Sequence, residues 1–288
     1  MVDLHTHSTY SDGTVSPTTL LTLAEEAGVT AIVLSDHNTV AGLPEFMTAA
    51  KGKKVEAIPG IEFSTDYGDT ELHILGLFIH PEHYDTINVR LNEMMARKEQ
   101  SNVSLIRALN EAGMCLDYEQ IKSGTPGGNV NRAVIAAEMT RLGYTETVQD
   151  AFARWLSPKH GYFQPPRRLD AFETIRFIKS IGAVAVLAHP FLNLKEADEL
   201  RTFLHEAKAA GLDGMETRYS KFDAVQTELA KQIAEEFELL ESGGSDFHGE
   251  NKPDIKIGTG KGTLDVPDEF LAKLKTRICQ NHVSKLSF

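Results

Sequence analysis

The chain has 288 residues, of which 41% are hydrophobic and 24% are charged. This composition excludes a disordered or collagen-like chain and is ordinary for a globular protein. The length allows one large α/β barrel or one domain with an insertion, and the formal net charge of −12 predicts a surface that repels long nucleic acids.

Signals for export, membrane insertion and disulfide bonding are missing from the sequence. Asp3 and His5 fall where a signal peptide would need an apolar run, and the longest apolar runs are too short for a membrane span. Cys115 and Cys279 are far apart and fit no metal or redox spacing. We therefore expect a cytoplasmic protein with no membrane partner.

Strand and helix patterns alternate from the N terminus. Residues 2–4 form a minimal strand, and Ser16 followed by Pro17 predicts the start of a helix. Gly28 would end that helix, and the apolar run 31–34 predicts the next strand. Further strand-like runs cover 55–58, 73–79, 183–188, 214–217 and 239–241. Short apolar strands separated by helices favour a mostly parallel α/β sheet, which could close into a barrel.

The stretch from Leu91 to Pro166 breaks this rhythm. Its apolar residues recur at helical spacing, and it ends in a proline-containing loop. We predict a barrel formed by residues 1–90 and 167–288, with residues 91–166 as a helical insertion or cap near the barrel mouth.

The strongest local signal for chemistry is a His-x-His motif near the N terminus. In a strand, residues two apart share a face, so His5 and His7 would point the same way and could bind one cation. Asp12 follows in a glycine-containing turn and could reach the same site.

Later strand ends also carry side chains that commonly bind metals. These are His37, Glu62, His73, His189, Asp246 and His248. Parallel α/β sheets and barrels bring such strand ends to one mouth. The nine residues together predict a metal centre there. Glu216 also lies at a strand end, but we do not predict it as a ligand.

The motifs around these nine residues resemble those of the polymerase and histidinol phosphatase (PHP) superfamily. They are Asp3-Leu4-His5-Thr6-His7-Ser8, Ser11-Asp12-Gly13, Ser35-Asp36-His37-Asn38-Thr39, Pro59-Gly60-Ile61-Glu62, Glu71-Leu72-His73, Leu187-Ala188-His189-Pro190 and Gly244-Ser245-Asp246-Phe247-His248-Gly249. The resemblance is strongest to small bacterial phosphoesterases that include nucleoside 3′,5′-bisphosphate phosphatase. It implies a distorted (β/α)7 barrel with a helical insertion and up to three metals at the mouth.

The resemblance also implies a division of the ligands. It implies one site from His5, His7, Glu62 and Asp246, a second from Glu62, His73 and His189, and a third from Asp12, His37 and His248. This donor set suits two or three Mn²⁺, Fe²⁺ or Zn²⁺ ions better than Ca²⁺. Clustered cations lower the pKa of a bridging water, so that hydroxide could attack a phosphoester at neutral pH. We expect Glu62, Asp246, His248 and Arg132 to take part in catalysis.

Two departures from the family pattern bear on the substrate and the metal. Asn38 stands where the family commonly has an Asp that supports the metal ligands from behind, and this change could alter metal affinity. In the insertion motif Arg132 is kept, but Val134 and Ala137 replace a histidine and an arginine. Arg132 is the first candidate for a substrate phosphate, in a predicted turn before a helix that includes residues 127–129. Lys159, His160 and Arg218 are lower-ranked candidates.

The sequence-based hypothesis is a metal-dependent phosphoesterase acting on a small phosphorylated nucleotide. The most specific form is release of the 3′-phosphate from a nucleoside 3′,5′-bisphosphate, giving a nucleotide such as AMP. The alternatives are an exonuclease that trims short oligonucleotides, a histidinol-phosphate phosphatase, and a non-catalytic metal or nucleotide sensor. The oligomeric state is left open.

Overall fold

The structure is a computed structural model that describes residues 1–125 and 130–285. The predicted turn at residues 127–129 lies outside this range. The chain divides into two compact units, the first formed by Met1–Asn88 with Leu169–Phe288 and the second by Val89–Arg168. None of the helices in the described ranges is long and apolar enough to cross a membrane.

The first unit contains one mixed sheet. Its strands are β1 (Ala31–Leu34), β2 (Glu56–Tyr67), β3 (Thr70–Leu77), β4 (Leu169–Asp170), β5 (Val184–Leu187), β6 (Gly214–Tyr219) and β7 (Leu240–Gly244). The strand order is β1-β2-β3-β5-β6-β7, with β4 beside β2. This confirms the predicted α/β class. The distorted (β/α)7 barrel that the resemblance implies is not confirmed in this form, because β2 and β3 form an antiparallel hairpin and β3 is also antiparallel to β5.

The N-terminal segment runs between β1 and β7. The amide of Asp3 donates to the carbonyl of Ala31 at 2.9 Å, and the amide of Leu4 donates to the carbonyl of Gly243 at 3.1 Å. A Cβ atom on Gly244 would lie 2.5 Å from the backbone nitrogen of His5. Only glycine allows β7 to approach this closely, so the segment that carries His5 and His7 is held between two strands.

Helices pack on the sheet of the first unit. They are α1 (Pro17–Glu26), α2 (Leu43–Ala49), α7 (Ala171–Ser180), α8 (Ala197–Ala210), α9 (Ala224–Glu236) and α10 (Asp268–Lys285). The predicted start of α1 is confirmed, because the Ser16 side chain accepts from the amide of Thr19. One buried core includes Val33, Leu75, Val186 and Leu274, so apolar contacts position the strands.

The remaining helices belong to residues 84–168. They are α3 (Tyr84–Glu111), α4 (Tyr118–Gly124), α5 (Arg132–Arg141) and α6 (Val148–Ala151), followed by a π-helical turn at Phe152–Leu156 and a 3₁₀ turn at Pro158–His160. The second unit has its own core, which includes Leu109, Ile135 and Met139. The helical content agrees with the sequence pattern.

Candidate metal centre

The His-x-His motif presents both imidazoles to one point. His5 and His7 are fully buried, and their Nε2 atoms lie 3.1 Å apart. The same two nitrogens are 3.9 Å and 3.4 Å from Oδ1 of Asp246. Two ring nitrogens and a carboxylate oxygen therefore converge, in the arrangement that the alternation of a strand predicts.

Glu62 lies at the middle of the cluster, and its two oxygens face different histidines. Oε1 is 2.9 Å from His73 Nδ1 and 3.0 Å from His189 Nε2. Oε2 is within 3.0–3.3 Å of ring nitrogens of His5, His7 and His37. A carboxylate with this geometry can bridge two cations, one at each oxygen.

A third group lies around Asp12. Oδ1 of Asp12 is 3.2 Å from His248 Nε2, and Oδ2 is 3.9 Å from His37 Nε2. Four sets of donor atoms lie within 4.8 Å of one another, namely His7 with Asp12, His37 and His248; His5 with Glu62 and His189; His5 with His7 and Asp246; and His37 with Glu62 and His73. The structure thus brings all nine predicted residues together, but His189 lies with His5 as well as near His73, and His37 lies between two sets.

The donor atoms are arranged to bind divalent cations rather than to hydrogen-bond with one another. In the described ranges His7 Nδ1, His37 Nδ1 and Glu62 Oε2 are buried and form no hydrogen bond, although the last two atoms are 3.0 Å apart. Buried polar atoms normally have partners. Close approach without hydrogen-bond geometry is expected when both atoms point at a shared ion, and histidine with carboxylate suits Mn²⁺, Fe²⁺ or Zn²⁺.

Protonation states in the cluster are strongly coupled. Burial favours the neutral form of Glu62, but His37, His5 and His73 outweigh it and hold the pKa of Glu62 well below its usual range. Burial likewise opposes the charge on His73, yet Glu62 and Glu71 raise its pKa to about 9. Burial lowers the pKa of His37 to about 3. Protonated His5 and His73 therefore balance the buried carboxylates, whereas His37 is neutral. Divalent cations would take over that balancing role.

Comparison with known proteins identifies the family. The family model described as the PHP domain matches residues 3–163, which is more than half of the chain. This protein belongs to the PHP family.

Proteins similar to this PHP chain are named for different activities. It is 34% identical to a 5′-3′ exoribonuclease of Haemophilus influenzae, over 85% of this chain and 89% of that protein. It is 25% identical to a 3′,5′-nucleoside bisphosphate phosphatase of Chromobacterium violaceum, over 96% and 97%. A solved structure from Bifidobacterium adolescentis, assigned as a metal-dependent phosphoesterase, superimposes with a TM-score of 0.73 at 28% identity and covers 96% of each chain.

Two ligand-type residues of this PHP chain lie inside strands rather than at their ends. Glu62 is in the middle of β2 and His73 is in the middle of β3. The prediction of strand ends was wrong for both, because the β2–β3 hairpin continues to Tyr67. The polar residues of that extension, such as Ser64 and Asp66, hide the strand from a search for apolar runs.

Glu216, which we did not predict as a metal ligand, forms hydrogen bonds with two of the histidines. Its Oε1 is 3.1 Å from His5 Nδ1, and its Oε2 accepts from the backbone amide of His189 at 2.6 Å. A carboxylate only accepts hydrogen bonds, so His5 Nδ1 carries the proton and Nε2 is left free for a cation. Such outer contacts fix the tautomer and orientation of metal-binding histidines.

A β-bulge in β6 determines which side chain after Glu216 faces the cluster. The register between β6 and β7 shifts between Glu216 and Arg218. As a result the hydroxyl of Tyr219 donates to Asp246 Oδ2 at 2.8 Å, whereas Arg218 makes no hydrogen bond or ion pair with a described residue of the cluster. Regular alternation would have given that place to Arg218.

Loop contacts orient the remaining ligands. Asp36 accepts from the amide and hydroxyl of Ser8 and from the hydroxyl of Ser11, which fixes the loop that leads to Asp12. Asn38 has a φ of 51°. Its side-chain NH₂ donates to the Ser64 hydroxyl, and its side-chain oxygen accepts from the backbone amide of Ser64, each at 3.0 Å. An aspartate could accept but could not donate, so asparagine suits this position.

Two of the ligand residues have a positive φ. His189 has a φ of 28° and Asp246 has a φ of 57°, in the left-handed region that few residues other than glycine adopt, although aspartate, asparagine and histidine do so more often than the rest. Strain of this kind persists where the surroundings over-determine the conformation, often at functional sites. The hydrogen bond from the His189 amide to Glu216 is one such constraint.

The predicted substrate residues of residues 91–166 lie within the second unit. The guanidinium of Arg132 is 4.3 Å from the ring centroid of Phe163 and donates to the carbonyl of Leu156 at 3.3 Å. Lys159 and His160 occupy the 3₁₀ turn. Val134 and Ala137 line a cavity of about 430 Å³. Contacts between any of these residues and a substrate stay predictions.

Proposed function

We propose that this protein hydrolyses the bond between phosphorus and the 3′ oxygen of a nucleotide that carries a 5′-phosphate. The first substrate is a nucleoside 3′,5′-bisphosphate, which would give a 5′-mononucleotide such as AMP and inorganic phosphate. The observation that carries the proposal is the two-sided contact of Glu62, whose oxygens face different sets of imidazoles within 3.3 Å.

The reaction class rests on the relatives and on the donor set together. The relatives are named as a phosphatase, an exoribonuclease and a phosphoesterase, and all three names refer to cleavage of phosphoester bonds. This chain carries histidine and carboxylate groups that could hold metals. It is a metal-dependent hydrolase of phosphoester bonds.

The bisphosphatase and exonuclease reactions cleave the same type of bond, the ester between phosphorus and a 3′ oxygen. An enzyme that removes single 5′-mononucleotides in the 5′ to 3′ direction cuts between phosphorus and the 3′ oxygen of the first nucleotide. A bisphosphate has the same ester, with only a hydrogen where the rest of the RNA would follow. The greater identity to an exoribonuclease supports short 5′-phosphorylated RNA as a second substrate, and the net charge of −12 opposes long RNA.

Residues of the cluster have separable tasks in this proposal. Bound cations would supply an acidified water and neutralise charge on the phosphoryl oxygens. Glu62 and Asp246 hold the imidazoles of both cation sets in one place, and His248 and Asp12 complete the edge of the cluster. Arg132, Lys159 and His160 are proposed as contacts for the nucleotide, with Arg132 first because a guanidinium can bind phosphate through two hydrogen bonds.

A substrate panel tests this proposal. The protein, loaded with Mn²⁺, is given adenosine 3′,5′-bisphosphate, 5′-phosphorylated RNA of increasing length, the same RNA with a 5′-hydroxyl, histidinol phosphate and p-nitrophenyl phosphate. We expect AMP from the bisphosphate and from the first nucleotide of short 5′-phosphorylated RNA, with the 5′-hydroxyl RNA cleaved poorly.

Other outcomes of the panel would reject specific parts. Turnover of histidinol phosphate alone would replace the nucleotide with a different monoester. Binding of Mn²⁺ with no turnover of any substrate would favour a sensor over an enzyme. Glu62→Gln is the matched inactive control, because it removes one bridging oxygen while keeping the shape of the side chain.

A further inference from the structure

The carboxylate of Asp246 has two oxygens in different surroundings. Oδ1 lies 3.3–3.9 Å from ring nitrogens of His5, His7 and His248. Oδ2 accepts from the Tyr219 hydroxyl at 2.8 Å and from Nζ of Lys252 at 2.6 Å. Oδ1 therefore belongs to the metal centre, and Oδ2 belongs to a pair of donors beside it.

The two donors differ in their capacity to bind anything else. Tyr219 is 3% exposed, and its single hydroxyl hydrogen is used in the bond to Oδ2. The Lys252 side chain is 27% exposed and has three N–H donors. In the described ranges its ammonium group has Asp246 as its one partner, so two donors remain for a ligand.

The position of Lys252 is fixed by contacts with the loop that carries Asp12. Lys252 follows a 3₁₀ turn, Gly249–Asn251. In that turn the amide of Glu250 donates to the hydroxyl of Thr14 at 2.8 Å, and Asn251 donates to the carbonyl of Asp12 at 2.7 Å. A Cβ atom on Gly249 would lie 2.0 Å from the Thr14 hydroxyl, so the turn packs against this loop more closely than any residue other than glycine would allow.

Within the described residues, Asp246 is the one acidic side chain that forms an ion pair with Lys252. Its acidic neighbours in the sequence, Glu250 and Asp254, form no ion pair with it in the described part of the chain. Lys252 is therefore a partly exposed cation, held on a fixed turn and directly bonded to a carboxylate of the candidate metal centre.

We propose that Lys252 is a substrate-contacting residue whose ammonium group donates a hydrogen bond to an outer oxygen of the phosphoryl group. This inference rests on the proposed function, since it takes a phosphoester as the ligand of the metal centre. Lys252 thereby adds a source of positive charge for the phosphate that is not among the candidates suggested by the sequence, residues 132, 159, 160 and 218.

Binding of inorganic phosphate to the Mn²⁺-loaded protein tests the inference. Lys252→Met keeps a side chain of similar length but removes its charge, and Lys252→Arg keeps the charge. Lys256→Met is the control, because Lys256 is an exposed lysine of the same loop. Titration calorimetry gives the phosphate Kd, and a separate titration gives the Mn²⁺ Kd. Melting temperatures check folding.

We expect Lys252→Met to weaken phosphate binding by about tenfold or more, the effect of one hydrogen bond to a charged group. Its Mn²⁺ affinity should stay within about twofold of wild type, because Tyr219 still holds Asp246. Lys252→Arg should recover most of the phosphate affinity, and Lys256→Met should match wild type. With p-nitrophenyl phosphate, KM should rise more than kcat falls.

Two results would overturn the inference. The first is unchanged phosphate affinity in Lys252→Met. The second is loss of Mn²⁺ in that variant, with normal phosphate binding once Mn²⁺ is saturating, which would make Lys252 a support for Asp246. A wild-type protein that binds phosphate through Lys252 but hydrolyses no phosphoester would instead reject the proposed function alone.

Discussion

Glu216→Gln tests how the fold controls the metal-binding face of His5. The carboxylate accepts two hydrogen bonds, from His5 Nδ1 at 3.1 Å and from the His189 amide at 2.6 Å. A glutamine has the same shape but only one acceptor oxygen. Because the His189 amide can only donate, that oxygen should turn toward it and leave the glutamine NH₂ facing His5.

The consequence for His5 is a change of tautomer. Nδ1 would have to accept from the glutamine NH₂, so the proton would move to Nε2, the nitrogen that points at His7 and Glu62. A protonated Nε2 cannot bind a cation. Loss of an outer contact of this kind typically costs about 10- to 100-fold in metal affinity, which is about 1.4–2.8 kcal/mol.

The assay is a Mn²⁺ titration of the wild type, Glu216→Gln and the control Glu56→Gln, followed by electron paramagnetic resonance. Glu56 is a surface residue of β2 that pairs with Lys275, so its variant should bind Mn²⁺ as the wild type does. Circular dichroism should show that both variants are folded. Wild-type affinity in a folded Glu216→Gln protein would refute the tautomer argument.

Three more predictions follow from the same geometry. Gly244→Ala should lower Mn²⁺ affinity and the melting temperature, because a Cβ atom 2.5 Å from the His5 backbone must displace His5 by roughly 1 Å, enough to cost about 100-fold in function. Gly124→Ala is the control, because a Cβ atom there would meet no atom of another part of the chain within 4 Å. Mn²⁺ uptake near neutral pH should release protons, because His73 has a pKa of about 9 and must deprotonate to bind; affinity should therefore rise with pH, and calorimetric enthalpies should differ between buffers of different ionisation enthalpy. Arg132→Ala should raise KM for adenosine 3′,5′-bisphosphate far more than for p-nitrophenyl phosphate, and equal effects in steady-state kinetics would remove Arg132 from the nucleotide site.

The sequence was most informative where one residue type has one structural use. Ser16 with Pro17 marks the start of α1 because the serine side chain caps an otherwise unpaired amide. The run Ala31–Leu34 becomes β1 because an apolar strand of this length is buried on both faces. His5 and His7 converge because alternate residues of an extended segment share a face.

Contacts between residues distant in the sequence were harder to predict. The extension of β2 to Tyr67 depends on pairing with β3, which no local apolar pattern reports. The bulge in β6 brings Tyr219 to Asp246, and regular alternation gives no sign of it. Glu216 contacts His5 and His189, which are distant from it in the sequence. Lys252 reaches Asp246 from an irregular turn. Both contacts depend on the tertiary structure, and no sequence motif reports them.

The most direct test of the central claim is AMP formation from adenosine 3′,5′-bisphosphate by metal-stripped protein as Mn²⁺ is added back, with Glu62→Gln measured in parallel. We predict no product from the stripped wild type, full recovery with Mn²⁺, and no recovery in folded Glu62→Gln at any Mn²⁺ concentration. Product from the stripped wild type, or recovery in Glu62→Gln equal to the wild type, would contradict a metal centre organised around Glu62.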